Sequence, residues 1–130
     1  MNSIIKKIRQ CNASDFDKTV WLAALNIPAG RVSTYKEIAT KIGRQCQRAV
    51  GNSLNKNPFA PDVPCHRVVR SNGCVGGFAS GQKKKSALLK KESIIISNNR
   101  IVDFKKVLFN FSRQKTKDSK RKTEALYQTN

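Results

Sequence analysis

The pattern of hydrophobic and polar positions predicts a helix near the start of the chain. Ser14 with Asp17 resembles a capping box, which favours a helix start at this position. The apolar side chains that follow recur at helical spacing, at Phe16, Val20, Ala23, Ala24 and Ile27. Pro28 and Gly30 are expected to end this helix, and residues 31–33 are predicted as a short extended link. Residues 1–14 are weakly patterned and are predicted to be an N-terminal extension.

Two further helices are predicted next, and their boundaries are clearer. Thr34 and Glu37 form a Thr-x-x-Glu cap, and the apolar face of the helix is formed by Tyr35, Ile38, Ala39 and Ile42. Gly43 stands where a residue that ends a helix is expected. The following helix is predicted to bury Cys46, Ala49, Val50 and Leu54 and to stop at Asn57-Pro58. Two short helices joined by a glycine turn are typical of a helix-turn-helix.

The outward face of the second of these helices is polar and basic. It is predicted to carry Arg44, Arg48, Asn52 and Asn55. Such a face is consistent with an ordinary solvated helix. It is equally consistent with a helix presented to DNA, with Arg48 able to reach a groove.

The second half of the chain alternates short elements with turns. Residues 57–64 predict a stiff proline-rich loop, residues 65–70 a strand, and Asn72-Gly73 a turn into residues 74–75. Residues 76–81 are glycine-rich and predict a binding loop. Residues 83–91 predict a basic helix with Leu88 and Leu89 inward, and Lys83 to Lys85 are interpreted as a solvated face. A small hairpin is expected over residues 94–104, and residues 112–130 are predicted to be a disordered basic tail.

Length and charge narrow the class of protein. The chain of 130 residues is enough for one domain, which we place at residues 15–109, with 110–130 as the tail. The 26 Lys and Arg residues against 8 Asp and Glu give a net charge of +18, which favours a polyanionic partner such as nucleic acid. The longest apolar run, residues 94–96, is too short to span a membrane, and the N-terminus does not resemble a signal peptide.

The four cysteines form no CxxC pair, and the chain has a single histidine, so no metal site is predicted. Reduced thiols are therefore expected, and Cys11, Cys46 and Cys74 are interpreted as structural. Cys65 lies next to the only histidine, His66. From spacing alone, a small buried hydrophobe is the more common role of such a cysteine. If residues 65–70 form a strand, adjacent side chains diverge, so any help from His66 must pass through a water or the turn geometry.

Several motifs in this chain resemble those of the O6-alkylguanine-DNA alkyltransferases, which repair DNA by direct reversal. The central match is Pro64-Cys65-His66-Arg67-Val68. Others occur in the family's order at residues 27–35, 48–51, 57–58, 76–78 and 98–103, so that the resemblance covers roughly residues 15–109. It implies an α+β, mostly helical, winged-helix-like domain whose helix-turn-helix docks in the minor groove of duplex DNA.

The resemblance also implies a role for each matching residue. Cys65 would accept the alkyl group, and His66 would take its proton through a water, held by Glu92. Asn57 would brace the turn that carries Cys65, Tyr35 would give a proton to the leaving guanine, and Arg48 would fill the gap in the duplex. The residues expected to contact DNA are Arg48, Thr34, Tyr35, Arg44, Asn52 and Ser71. Those expected to line the guanine pocket are Val68, Gly77, Phe78, Ala79 and Ser80. No cofactor is implied, and transfer is expected once per molecule.

Two other functions stay open. Alkyltransferase-like proteins of the same family bind alkylated guanine but lack the acceptor cysteine, which is present here as Cys65. A basic helix-turn-helix transcription factor with Cys65 in its core is the third interpretation. Most family members carry an additional N-terminal domain, and we hypothesise that the basic tail substitutes for its DNA affinity. A monomer without membrane association is expected, in the nucleus of a eukaryote or otherwise in the cytoplasm.

Overall fold

The computed structural model describes residues 2–76 and 81–111, and the predicted tail from residue 112 onward lies outside this part. Most of the described elements are helices, and the strands form two two-stranded sheets. The elements are α1 (Asn2–Gln10), α2 (Asp15–Ala24), β1 (Ser33–Thr34), α3 (Tyr35–Lys41), α4 (Gln47–Asn55), a 3₁₀ helix (Cys65–Arg67), β2 (Val68–Val69), α5 (Gln82–Lys91), β3 (Ile96–Ser97), β4 (Arg100–Ile101) and α6 (Phe104–Val107).

The helix boundaries show why local sequence was informative here. The Ser14 hydroxyl accepts a hydrogen bond from the Asp17 backbone N–H at 3.0 Å, and Thr34 caps α3 in the same way through Glu37, also at 3.0 Å. Gly43 has a φ of +77° just after α3, a conformation that glycine adopts at little cost. The prediction for α2 was too long, because the helix ends at Ala24 and the chain turns before Pro28.

The helix-turn-helix pair and α2 form the larger of two cores. Helix α2 packs on α3 and α4, and the Trp21 indole N–H donates to the Ser53 carbonyl at 2.8 Å. Helix α1, which the sequence pattern did not predict, packs on α2 and buries Ile4 and Ile8 in the same core. The segment before residue 15 is therefore integrated into the fold, although it precedes the predicted domain.

One prediction for this half was wrong. Cys46 was expected on the buried face of its helix, but it is exposed and caps the N-terminus of α4. Its Sγ accepts a hydrogen bond from the Ala49 N–H at 3.4 Å. Because the helix starts at Gln47 rather than earlier, Arg44 also lies in the turn and not on the helix.

The predicted strand over residues 65–70 is also incorrect for its first half. Cys65–Arg67 form a turn of 3₁₀ helix, with the Arg67 N–H donating to the Pro64 carbonyl at 2.9 Å. Only Val68 and Val69 are extended, and they pair in parallel with Ser33 and Thr34 of β1. This pairing holds the start of α3 against the chain that leaves the 3₁₀ helix.

The smaller core lies beneath β2, α5 and the antiparallel hairpin of β3 and β4. Its buried members are Val32, Val69, Val75, Leu89, Ile94 and Ile101. After α6 the chain returns to the larger core, where Phe109 and Phe111 are buried with their rings edge to face, 5.0 Å apart. The Phe109 N–H donates to the Val32 carbonyl, which connects the segment after α6 to the segment before β1. None of the helices that the structure describes has the length and apolar character needed to cross a membrane.

Candidate active site

Cys65 begins the 3₁₀ helix and is 6% exposed. The preceding turn is braced by Asn57, whose amide N–H donates to the Val63 carbonyl at 2.8 Å. The Asn57 side-chain oxygen accepts from the Phe59 N–H, also at 2.8 Å, so both ends of this amide are used. The Cys65 N–H itself donates to the Val63 carbonyl at 2.8 Å. Asn57 therefore fixes the backbone on which the thiol is carried.

The surroundings of Cys65 act on its protonation in opposite directions. Burial raises the pKa of the thiol, since charge is poorly solvated there. The Asn57 side chain, the positive charge of Lys85 and the backbone N–H groups of Cys65 and His66 lower it, but less than burial raises it. The resting state at neutral pH is therefore the thiol, and a base must take its proton before it can act as a nucleophile.

His66 and Glu92 form the pair that the sequence predicted by resemblance, although they lie on different elements, His66 within the 3₁₀ helix and Glu92 at the C-cap of α5. His66 is 2% exposed, and its Nε2 lies 3.2 Å from Glu92 Oε2. Arg67 also binds Glu92, with its Nε 2.9 Å from Oε1, and donates from Nη1 to the Ile27 carbonyl at 2.7 Å. Glu92 thus joins two neighbouring side chains of the 3₁₀ helix.

The protonation states follow from these contacts. Burial raises the pKa of Glu92, but hydrogen bonds from Arg67 and His66 bring it below its usual value, so the group is a carboxylate. Burial lowers the pKa of His66, against the opposing effect of Glu92, so the imidazole is neutral at pH 7. With a carboxylate on Nε2, that nitrogen must carry the proton. Nδ1 is then a buried acceptor, and no protein group that the structure describes binds it.

Lys85 was interpreted as a solvated residue, and the structure shows the opposite. Its side chain is 0% exposed, and Nζ donates to the Val68 carbonyl at 2.6 Å and to the Tyr35 hydroxyl at 3.3 Å. Burial lowers the pKa of Lys85 to about 8. A signal for this was present in the sequence, because Lys85 lies one helical turn before the buried Leu89. The run of three lysines obscured it.

Tyr35 lies at the start of α3, half-buried between the residues around Cys65 and the protein surface. Burial raises the pKa of its hydroxyl, while the charge of Arg70 lowers it and the nearby Cys65 raises it. The Lys85 ammonium group lies 5.6 Å from the centre of the Tyr35 ring. Tyr35 therefore interacts electrostatically with Cys65 and Lys85 on one side and with Arg70 on the other.

A cavity of about 550 Å³ opens beside Tyr35. Its lining brings together four residues of the predicted DNA-binding and catalytic sets, Tyr35, Arg48, Asn52 and Ser71. Asn55, which the sequence placed on the same polar helix face as Arg48 and Asn52, also lines the cavity. The other described lining residues, not singled out beforehand, are Gln47, Gly51, Arg70 and Asn72. The helix-turn-helix and the turn after β2 thus form opposite sides of one depression.

The remaining predicted residues lie elsewhere. Thr34 is 4% exposed, and its hydroxyl oxygen accepts the capping hydrogen bond of α3. Arg44 lies over the Phe16 ring, 5.6 Å from its centre, and outside the cavity. Val68 is buried, and its carbonyl accepts from Lys85. The predicted pocket residues 77–80 lie outside the described residues, and Cys65 is not among the lining residues of the cavity.

The fold and this site define a helix-turn-helix domain that carries a cysteine next to a histidine–glutamate pair. Residues 15–94 match the family described as 6-O-methylguanine DNA methyltransferase, DNA binding domain. The chain belongs to this family, which confirms the resemblance found in its motifs.

Curated relatives and solved structures agree with this assignment. The chain is 51% identical over 80 residues to a methylated-DNA–protein-cysteine methyltransferase of Methanosarcina barkeri, covering 61% of this chain and 51% of the relative. It is 46% identical over 81 residues to the same kind of protein from Saccharolobus islandicus, covering 62% and 52%. The chain thus spans about half the length of the curated relatives it matches.

Two solved structures confirm the α+β, mostly helical fold. One is Mycobacterium tuberculosis OGT in complex with DNA, with a TM-score of 0.61 and 44% identity, covering 62% of this chain and 51% of that one. The other is S. pombe Atl1 in complex with damaged DNA containing O6-carboxymethylguanine, with a TM-score of 0.68 and 26% identity. That match covers 77% of this chain and 99% of Atl1.

Proposed function

We propose that this protein repairs duplex DNA by transferring a methyl or other small alkyl group from O6 of guanine to Cys65. The observation that carries this proposal is the placement of Cys65 beside the buried His66–Glu92 pair, within the region matched by the family. The protein acts as a monomer on DNA that carries O6-alkylguanine. Since the product is a stable thioether, each molecule reacts once.

DNA is bound through the helix-turn-helix. Helix α4 enters the minor groove, and Arg48, exposed on α4, occupies the space left when the alkylated base leaves the stack. Extruding a base costs a few kcal/mol, and an inserted side chain that also neutralises phosphate offsets part of that cost. The cavity shared by Arg48 and Tyr35 lies where the extruded nucleotide must pass on its way to Cys65.

The thiol is activated by the neutral imidazole. His66 Nδ1 accepts the Cys65 proton through a bridging water, and the imidazolium that forms is stabilised by the Glu92 carboxylate at 3.2 Å. The sulfur then attacks the alkyl carbon, so that the S–C bond forms while the bond from carbon to O6 breaks. The guanine anion that leaves receives a proton from the Tyr35 hydroxyl.

Lys85 is a positioning residue for this step. Its ammonium group fixes the Val68 carbonyl and the Tyr35 hydroxyl at 2.6 and 3.3 Å. Val68 belongs to the pocket proposed for guanine, and Tyr35 is the proposed proton donor. Its charge also lowers the pKa of Cys65, which favours the thiolate. A cation beside Tyr35 equally stabilises the phenolate that remains after proton donation.

The proposal is tested by single-turnover reaction with an oligonucleotide duplex that contains O6-methylguanine, followed by intact mass measurement. Wild type is expected to gain one methyl group, on Cys65, and Cys65→Ala is expected to gain none. Cys46→Ser is the matched control, because it removes an exposed thiol while serine can still cap α4, so the reaction should stay unchanged. Methylation that persists in Cys65→Ala contradicts the proposal.

A second candidate function is recognition of alkylated guanine without transfer. The similarity to Atl1, which extends over 99% of that chain, favours it. Tight binding of the lesion duplex by wild type, with no change in protein mass, supports recognition alone. Binding that depends on base sequence but not on alkylation, and that survives in Cys65→Ser, supports a transcription factor instead.

A further inference from the structure

Arg70 lies in the cavity beside Tyr35 but was not singled out by any motif. It follows β2 directly, and its backbone is fixed in a turn. The Arg70 N–H donates to the Cys74 carbonyl at 3.0 Å, and its carbonyl accepts from the Gly73 N–H at 2.9 Å. The side chain is exposed. A rigid backbone therefore presents a guanidinium group to the cavity.

The side chains of Arg70 and Tyr35 converge over Gly76. A Cβ placed on Gly76 would lie 3.4 Å from Arg70 Cγ, 3.7 Å from Arg70 Nε and 3.5 Å from the Tyr35 hydroxyl. A side chain at residue 76 would thus lie in van der Waals contact with both Arg70 and Tyr35. Burial raises the pKa of Tyr35, and the charge of Arg70 opposes this rise, so the two groups interact electrostatically.

The charge in this cavity is unbalanced. It has guanidinium groups from Arg48 on one side and Arg70 on the other, and none of its described lining residues is acidic. Among the residues that the structure describes, Arg70 forms no salt bridge. Such a site attracts an anion, and the fork of an arginine matches two oxygens of a phosphate. The edges of bases carry no formal charge and would leave this excess uncompensated.

We propose that Arg70 binds a backbone phosphate next to the extruded alkylated nucleotide. This inference rests on the proposed function, since it places the extruded nucleotide between Arg48 and Tyr35. Arg48 fills the vacated stack, and Arg70 holds the displaced backbone, so the two arginines of the cavity have different roles. Arg70 thereby holds the nucleotide at the entrance from which its base reaches Tyr35.

The test replaces phosphates near the lesion, one at a time, by uncharged methylphosphonates. Single-turnover transfer and binding affinity are measured for wild type, Arg70→Gln and Arg9→Gln. In wild type, one methylphosphonate position is expected to weaken binding or slow transfer about tenfold, the range of a charge-assisted hydrogen bond. On the lesion duplex with all its phosphates charged, Arg70→Gln should lose a similar factor in binding or transfer. A methylphosphonate at that one position should then have no further effect on Arg70→Gln. Its salt dependence should fall by about 0.9 in the slope of log K against log salt.

Arg9→Gln is the matched control, because it removes the same charge from an exposed position on α1 that does not line the cavity. It should retain the sensitivity of wild type. Arg70→Lys keeps the charge without the fork and should recover part of the loss, which also shows that the site still folds. If the methylphosphonate weakens Arg70→Gln by the same factor as wild type, so that the two losses multiply, the inference is overturned. It is also overturned if the effect of Arg70→Gln depends on the base opposite the lesion and not on a phosphate. Either result leaves the proposed function standing, because that function is tested separately by alkyl transfer to Cys65 in wild type and in Cys65→Ala.

Discussion

Replacing Lys85 by methionine is expected to make the protein more stable and less active. Lys85 is 0% exposed, and burial lowers its pKa from 10.5 to about 8. Each pH unit of such a difference is worth about 1.4 kcal/mol, so the buried ammonium destabilises the folded state by about 3 kcal/mol at pH 7. Removing its hydrogen bonds to Val68 and Tyr35 costs about 1 kcal/mol each. The net gain from Lys85→Met is therefore about 1 kcal/mol.

The dependence on pH identifies the cause. Below pH 8 the lysine is protonated in both the folded and the unfolded chain, and the whole penalty is present. Between pH 8 and 10.5 the folded protein releases the proton first, so the stability of wild type rises with pH relative to Lys85→Met. The difference between the two proteins should therefore move by about 2 kcal/mol in favour of wild type from pH 7 to pH 10.

Urea unfolding followed by the fluorescence of Trp21, which is 2% exposed, measures this difference in the presence of a reductant. Lys84→Met is the matched control, because Lys84 is exposed on the same helix and should change stability little at either pH. In single-turnover transfer, Lys85→Met should be slower and Lys84→Met unchanged. A difference in stability between Lys85→Met and wild type that stays constant from pH 7 to pH 10 refutes the reasoning.

Three further variants test the supports of the fold and the site. Asp17→Ala leaves the buried Ser53 hydroxyl without its acceptor and should lower the free energy of unfolding in urea by about 1–3 kcal/mol. Asn57→Ala frees the turn before Cys65, so transfer should slow roughly 10- to 100-fold and the pH dependence of iodoacetamide alkylation should move to higher pH. Glu92→Gln removes the group that raises the histidine pKa, so the acidic limb of the transfer rate should move to lower pH and the maximum rate should fall about 100-fold.

The control for the carboxylate variants is Asp15→Asn, at an exposed position of α2, which should leave stability and rate near those of wild type. Unchanged unfolding of Asp17→Ala would mean that its hydrogen bond contributes nothing. Unaltered transfer by Asn57→Ala would show that the turn before the cysteine needs no brace. An acidic limb that moves to higher pH in Glu92→Gln would contradict the assignment of the base.

The sequence predicted those parts of the fold that depend on neighbouring residues. Ser14 and Thr34 cap helices through residues in the following turn, and Asn72-Gly73 turns the chain as expected. The pair of His66 and Glu92 was also predicted, but through resemblance rather than pattern, since the two lie far apart along the chain. No periodicity would have placed Glu92 at 3.2 Å from the imidazole.

Several errors arose where preceding prolines or tertiary contacts overrode the local pattern of apolar residues. Cys65 and His66 follow a proline-rich loop and form a 3₁₀ turn, although the valines beyond them favour a strand. Lys85 can be buried because the Val68 carbonyl and the Tyr35 hydroxyl accept hydrogen bonds from its Nζ, and neither is near it in sequence. Arg70 lines the same cavity as α4, and no sequence pattern connects its turn with that helix.

The packing of α1 and of residues 109–111 decides how much of this protein must be expressed together. A fragment trimmed to residues 15–94 would keep the whole family match and yet lose Ile8, Phe109 and Phe111, which are all buried in the larger core. It would also lose the strand-like contact of Phe109 with Val32, just ahead of the helix-turn-helix. Boundaries chosen by homology alone would thus yield an aggregation-prone polypeptide, whereas a recombinant unit that retains residues 2–111 preserves every buried contact described.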